Sequence, residues 1–276
     1  MKRVDFHLHT IKSDGIHHFS EVLTFLKDAK VTDCAVTDHD TVINTVRYQA
    51  SARAHGIRLI PATEISTTGK ELMLPDMHIL GYGISHTHKM EEVFNSFKAK
   101  NQEICEQVIL KLQEMGLQID LGDVRLVQTG DYTTKRDIAR CVVTHGYAPT
   151  NKEVYDVYMG RGKPAYIPVV KISVSEAIDL IKDCGGIAVL AHPGKLPEGT
   201  EFVPLLATLK ELGLQGIETL NACHSNEEVE LFTSYAKRFS LVETCGTDFH
   251  RITTDQIPGF EVEDDFIRPF YDLLGL

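Results

Sequence analysis

Two histidines one residue apart stand near the start of the chain, in Asp5-Phe6-His7-Leu8-His9-Thr10, and a Ser13-Asp14-Gly15 turn follows. In an extended strand alternate side chains share a face, so His7 and His9 point one way and Phe6 and Leu8 the other. Neutral imidazole is a good ligand for zinc, manganese or iron, and a pair so placed can reach one ion. The same chemistry recurs later. Asp38 and His39 follow the apolar run Cys34-Ala35-Val36, and Glu64 follows Ile57-Arg58-Leu59-Ile60-Pro61-Ala62. His192 follows Ile187-Ala188-Val189-Leu190-Ala191, and Asp248 with His250 follow Leu241-Val242-Glu243-Thr244-Cys245. His78 lies within a run of its own, Met77-His78-Ile79-Leu80. Each alone has an ordinary explanation: Asp14 as a turn residue, Asp38 as a helix cap, His78 as a core histidine, His192 as a loop histidine. Recurrence at the ends of several apolar runs reads instead as a multinuclear metal site.

Imidazoles with a few carboxylates and no thiolate motif suit zinc, manganese or iron better than magnesium or calcium, which favour oxygen cages. Glu64 can bridge two ions. Water held by such ions loses its proton near neutral pH, and paired ions can stabilise both oxygens of an in-line displacement at phosphorus. Hydrolysis of a phosphate ester is the reaction this set would serve best. Glu64 and Asp248 are the candidate catalytic carboxylates. His224, in Asn221-Ala222-Cys223-His224-Ser225 after a further apolar run, is a candidate proton donor or phosphate ligand. Its equal alternative is a helix-entry segment capped by Ser225 or Asn226. His17, His18, His55, His86, His88 and His145 lack this strand-end placement and are expected at the surface.

The elements that must position these residues alternate in type. Short apolar strands over 34–36, 57–62 and 77–82 are separated by helical stretches over 20–30 and 41–55, which suggests parallel βα units. The rhythm resumes with helices near 173–184, 201–212, 226–238 and 264–274, and strands near 186–191, 215–220 and 241–245. Between the two halves runs one long helical pattern over 88–115, then shorter pieces bearing Lys135, Arg136, Arg140, Arg161 and Lys163 among several tyrosines. Residues 98–165 are expected to form a helical insertion, a lid on a barrel built from 1–97 and 166–276. Its ordinary alternative is a solvated helical face with the tyrosines as a small core. As a lid it would offer cations for phosphate, foremost Arg136 and the Arg161-Gly162-Lys163 turn, and aromatic rings for a base to stack on.

Composition bounds the rest. A chain of 276 residues that is 43% apolar can bury a full core, and a net charge of −11 argues against a broad basic face for nucleic acid. Six cysteines without a Cys-x-x-Cys pair read as reduced and mostly buried. No apolar run reaches the ~18 residues of a membrane helix. The motif at residue 5 leaves no room for a signal peptide, so a cytoplasmic protein with no membrane partner is expected.

Taken together, these motifs, with Thr37-Asp38-His39-Asp40-Thr41, Glu64-Ile65-Ser66 and Leu190-Ala191-His192-Pro193, resemble the PHP (polymerase and histidinol phosphatase) family from residue 3 to about 251. The stretches Arg136-Asp137-Ile138-Ala139-Arg140 and Arg161-Gly162-Lys163-Pro164-Ala165-Tyr166 are similar to its branch of nucleotide phosphatases and 5'-3' exoribonucleases. The resemblance implies an α/β fold, a distorted (β/α)7 barrel with a helical insertion, and two or three divalent transition-metal ions (Mn, Fe or Zn). It implies one ion held by His7, His9, Glu64 and Asp248, a second by Glu64, His78 and His192, and a third by Asp14, His39 and His250. The implied substrate is a small phosphorylated molecule, a nucleotide; Arg136, Arg161, Lys163, Asn221 and His224 are the candidate contacts to it, and no stable nucleic-acid partner is expected. Thr247 and Arg251 depart from the family's usual serine and glycine around Asp248, which bears on substrate preference. The alternatives are a histidinol-phosphate phosphatase, a non-catalytic PHP binding module, which should have lost ligands, and an acyl-bond hydrolase, which usually wants a carboxylated lysine.

Overall fold

The computed structural model describes every residue except 43, 44, 70, 71, 73, 86, 131 and 253–256, so His86 lies outside the described residues. The first half forms β1 (Lys2–Leu8), α1 (Phe19–Asp28), β2 (Asp33–Val36), α2 (Thr45–Ala54), β3 (Arg58–Gly69) and β4 (Leu74–Tyr82). A long α3 (Thr87–Glu114) leads to α4 (Leu121–Val127), α5 (Lys135–Thr144), α6 (Asn151–Val154) and a π-helical turn at Tyr155–Met159. Then come β5 (Ile172–Ser173), α7 (Val174–Asp183), β6 (Ile187–Leu190), a 3₁₀ turn at Pro193–Lys195, α8 (Phe202–Leu212) and β7 (Gly216–Asn221). The chain closes with α9 (Asn226–Phe239), β8 (Val242–Gly246), β9 (Phe260–Val262) and α10 (Asp264–Leu274).

The sheet runs β8-β7-β6-β4-β3-β2-β1-β9, with β5 beside β3. Strands β1, β2 and β3 are parallel, as are β6, β7 and β8. The purely parallel pattern expected from sequence fails at β4, which is antiparallel to both β3 and β6. Only residues 70–73 separate β3 from β4, too few for a crossover, so the two can only form a hairpin. Glu64 consequently lies inside a long strand, not at a strand end: β-branched Ile65, Thr67 and Thr68 carry β3 onward.

The second edge of β1 is shared. Lys2, Arg3 and Val4 pair with β9, a strand absent from the sequence reading. Further along, Leu8 bridges Phe249 in parallel, with His9 N–H donating to Phe249 O at 2.8 Å and Phe249 N–H to His7 O at 3.2 Å. The sheet thereby curls into a nearly closed barrel. Beneath it, Val4, Phe6, Ala35, Ile60, Leu80, Tyr82, Val189 and Cys245 form one buried cluster with Ile267, Phe270 and Tyr271 of α10. The Phe270 ring lies 5.2 Å from that of Phe6 and 5.1 Å from that of Tyr82, whose hydroxyl donates to Phe6 O. Helix α1 buries Phe19, Val22, Leu23 and Leu26, one stripe at the helical repeat.

The chain divides into two compact units, Met1–Glu91 with Ile172–Leu276, and Glu92–Lys171. Helix α3 passes the first boundary without a break, which is why no sequence punctuation marks it. The second unit has a core of its own, aliphatic and not tyrosine-based, centred on Val108, Leu112, Val124, Ile138, Val142 and Val154. Tyr155 and Tyr158 pack at its margin. Among the described residues, no helix is long and apolar enough to cross a membrane.

Candidate metal centre

Glu64 is fully buried, and five histidines converge on it. Its Oε1 lies 2.9 Å from His78 Nδ1 and 2.9 Å from His192 Nε2. Its Oε2 lies 3.2 Å from His7 Nε2, 3.2 Å from His9 Nε2 and 3.3 Å from His39 Nε2. The convergence follows from the strands: His7 and His9 come from the end of β1, His39 from just past β2, where it bridges Glu64, and His78 from the neighbouring β4.

The ligand atoms gather into three compact sets: His7, His9, Glu64 and Asp248; His9, Asp14, His39 and His250; and His39, Glu64 and His78. His192 lies outside these sets although it reaches Glu64. His9 belongs to two, with Nε2 3.0 Å from Asp248 Oδ1 and Nδ1 3.4 Å from Asp14 Oδ1. His250 Nε2 stands 3.1 Å from Asp14 Oδ2. His192 and Asp248 both hold positive φ (25° and 54°), a conformation that non-glycine residues adopt at a cost and that clusters at functional sites.

Three buried carboxylates outside the sets hold the ligands in place. Glu218 of β7 takes His7 Nδ1 on both oxygens, at 3.1 and 3.2 Å, and accepts the His192 backbone N–H at 2.7 Å and the Asn221 amide at 3.0 Å. Gly246 leaves the room for this packing: a Cβ there would sit 2.2 Å from His7 Cβ. Asp38 accepts from Thr10 N–H, Thr10 Oγ1 and Ser13 Oγ, each at 2.7 Å, and so fixes the turn that presents Asp14. Asp5 ties β1 to the segment after β8 by accepting from Thr247 Oγ1 at 2.6 Å and Gly259 N–H at 2.9 Å. Burial pushes Asp5 up to about 6 despite these donors. Glu218 escaped the sequence reading because it lies mid-strand; the available signal was a lone charge inside Gly216-Ile217-Glu218-Thr219-Leu220.

Imidazoles and carboxylates dominate one another's protonation here. Burial opposes protonation of His7, but Glu218, Glu64 and Asp248 hold its pKa well above the ordinary value. Burial likewise opposes protonation of His9 and His78, and their carboxylate neighbours still raise them to about 10 and about 9. His39 is pushed down to about 3, chiefly by burial. Burial acts to raise Glu64, Asp14 and Asp248, yet the surrounding imidazoles carry all three below the usual carboxylate range.

Metal ions fit this geometry. His7 Nε2, His9 Nε2 and Glu64 Oε2 are buried and have no hydrogen-bond partner among the described residues. Each such atom costs about 1–3 kcal/mol, and a cation between them would satisfy all three. The donor set of imidazole and carboxylate without thiolate suits zinc, manganese or iron.

The remaining candidates take different places. His224, a candidate proton donor or phosphate ligand with a helix-entry segment as the equal alternative, has both ring nitrogens engaged with backbone: Nδ1 donates to Thr219 O at 2.9 Å, and Nε2 accepts Gly194 N–H at 3.2 Å. Ser225 caps α9, accepting Glu228 N–H at 3.2 Å. Asn221 is buried, its amide spent on Glu218 and its carbonyl on Cys223 N–H. The Asp40 carboxylate reaches β3, where it accepts Ser66 N–H at 3.0 Å. In the second unit Arg136, Arg161 and Lys163 are exposed, whereas Arg140 is tied to Val127 O and Asp137.

Comparison with known proteins places this arrangement. The profile described as PHP domain matches residues 5–141. The 5'-3' exoribonuclease Rnm of Escherichia coli is 30% identical over 251 residues, covering 90% of this chain and 85% of that protein. The 3',5'-nucleoside bisphosphate phosphatase of Chromobacterium violaceum is 28% identical over 255 residues, covering 91% of this chain and 88% of that protein. A solved structure, described as an amidohydrolase from Chromobacterium violaceum with bound sulfate and no metal, superposes with a TM-score of 0.83 at 25% identity over 98% of this chain and 96% of that one. The chain belongs to the PHP domain family.

Proposed function

We propose that the chain is a metal-dependent phosphoesterase that hydrolyses phosphate monoesters of nucleotides, with nucleoside 3',5'-bisphosphates and nucleoside monophosphates as its main substrates and short oligonucleotides as further ones. The observation that carries this reading is Glu64, a buried carboxylate with imidazoles divided between its two oxygens. Such a shared carboxylate suits adjacent cations, and adjacent cations suit displacement at phosphorus. The relatives named above support the substrate class, one being named an exoribonuclease and the other a nucleoside bisphosphate phosphatase.

His7, His9, Glu64 and Asp248 would hold one ion, Glu64 and His78 with His39 or His192 a second, and Asp14, His250 and His9 or His39 a third. When bound, two or three manganese, iron or zinc ions supply positive charge to the phosphoryl oxygens and acidify a water molecule. The protein's part is preorganisation. Glu218 fixes the His7 ring so that Nε2 faces Glu64, and Asp38 fixes the turn bearing Asp14. Charge on the substrate beyond the cleaved ester is assigned to Arg136, Arg161 and Lys163. The test is a panel of nucleoside 3',5'-bisphosphates, 5'- and 3'-mononucleotides, short oligonucleotides and histidinol phosphate, each with added Mn²⁺. Preference for the bisphosphates and mononucleotides is expected, and preference for histidinol phosphate would overturn the nucleotide assignment.

A further inference from the structure

One cation of the barrel unit entered the site without any signal in the sequence reading. Lys195 ends the 3₁₀ turn Pro193–Lys195 that follows His192, and its Nζ hydrogen-bonds Asp248 Oδ2. Asp248 thus divides its oxygens: Oδ1 faces His9 Nε2 at 3.0 Å and His7 Nε2 at 3.4 Å, and Oδ2 faces the lysine. The Lys195 side chain is 46% exposed against 9% for Asp248, so the ammonium stands on the solvent side of the carboxylate.

The turn that carries it is pinned. Gly194 N–H donates to His224 Nε2 at 3.2 Å, and His224 Nδ1 donates to Thr219 O at 2.9 Å, which links the turn after β6 to the end of β7. The imidazole presses on the glycine so closely that a Cβ on Gly194 would lie 2.7 Å from His224 Cδ2. Lys195 N–H closes the turn on His192 O at 2.9 Å. A flexible side chain is held at its root by a histidine of the loop between β7 and α9, with its charge beside the first ligand set.

We propose that Lys195, with its turn pinned by His224, holds a non-bridging oxygen of the substrate's phosphate. This rests on the phosphoesterase reading. A phosphate monoester carries close to two negative charges and more oxygens than a cation pair takes up. An ammonium beside a ligand carboxylate can serve one of the remaining oxygens as a charge-assisted donor. A cation held by Oδ1 of Asp248 would draw off part of that carboxylate's charge and loosen its hold on the ammonium. His224 is a positioning residue here, acting through the Gly194 backbone.

The test is calorimetric titration of metal-loaded protein with inorganic phosphate, alongside metal content by elemental analysis. Lys195→Met is expected to bind phosphate about ten- to a hundred-fold more weakly at unchanged metal content, as for loss of a charge-assisted contact. Lys195→Arg is expected to restore most of the affinity, and His224→Phe to lose a smaller part of it. Unchanged phosphate affinity in Lys195→Met overturns the proposal. Loss of metal from that variant overturns it as well, because Lys195 would then serve Asp248 and not the substrate. Absence of phosphate binding by metal-loaded wild type would instead bring down the phosphoesterase reading beneath it.

Discussion

The two carboxylate oxygens of Glu218 lie 3.1 and 3.2 Å from His7 Nδ1, while the other ring nitrogen of His7 lies 3.2 Å from Glu64 Oε2. One imidazole is thus held between an orienting carboxylate and a ligand carboxylate, the arrangement that sets the tautomer and raises the basicity of a metal-binding histidine. Because Glu218 also holds the His192 backbone and the Asn221 side chain, it ties β1, β6 and β7 together at the site.

Glu218→Gln is therefore expected to weaken metal binding by about ten- to a hundred-fold, the usual effect of removing such a partner. Competition with a chromogenic chelator measures it. Wild-type affinity in the variant would show that Glu218 only fills space.

Glu64→Gln keeps the volume of the side chain and removes the charge that five imidazoles face. Two of the three ligand sets include Glu64, so this variant is expected to retain about one ion per chain or fewer. Elemental analysis of the purified variant decides. Full occupancy would contradict a shared role for this carboxylate.

The raised histidines give the metal-free protein a particular pH dependence. A histidine whose folded pKa exceeds its unfolded value of about 6.5 contributes stability that is complete below that value and lost as pH rises through the folded pKa. For His78 and His9 the folded values are about 9 and about 10. Chelator-treated protein is thus expected to lose thermal stability steadily from about pH 6.5 to pH 10. Metal-loaded protein should show the opposite slope over the lower part of that range, since ligation requires deprotonated imidazole. Parallel slopes from thermal melts of the two forms would refute this account.

Much of the site was legible in the sequence because its ligands interrupt or end apolar strands, where a charged or titratable residue stands out. His7, His9, Asp14, His39, Glu64, His78, His192, Asp248 and His250 were all singled out; the structure brings five of these histidines to Glu64, and Asp14, Asp248 and His250 to His9. Strand direction was less legible: nothing in the apolar run of β4 says which way it points, and only the short β3–β4 connection fixes it. Supporting residues were the hardest. Glu218 stands in no motif, Asp5 stands in one that gives no hint of its role, and both roles come from segments distant in sequence. Lys195 reads as a surface lysine until the fold sets it against Asp248. His224 shows the converse: a histidine after a strand end reads equally as a reactive group or as part of a helix entry, and only the fold shows its two nitrogens bonded to backbone.

The second unit supplies a prediction about substrate choice. Arg136 and Lys163 are exposed, so removing them should leave its aliphatic core intact. Arg136→Ala and Lys163→Ala are expected to lower kcat/KM for a nucleoside 3',5'-bisphosphate by roughly ten- to a hundred-fold, with little change for p-nitrophenyl phosphate. Equal losses on both substrates would assign these residues to stability. No loss on either would remove them from recognition.

Metal ions at the Glu64 cluster are what would make this chain a phosphoesterase. The most direct measurement is phosphate release from a nucleoside 3',5'-bisphosphate by chelator-treated protein, before and after adding Mn²⁺, with Glu64→Gln in parallel. No release is expected from the chelated protein, with recovery on adding Mn²⁺ and no recovery in Glu64→Gln. Full release by chelated protein shown to hold no metal, or full recovery in Glu64→Gln, would contradict it.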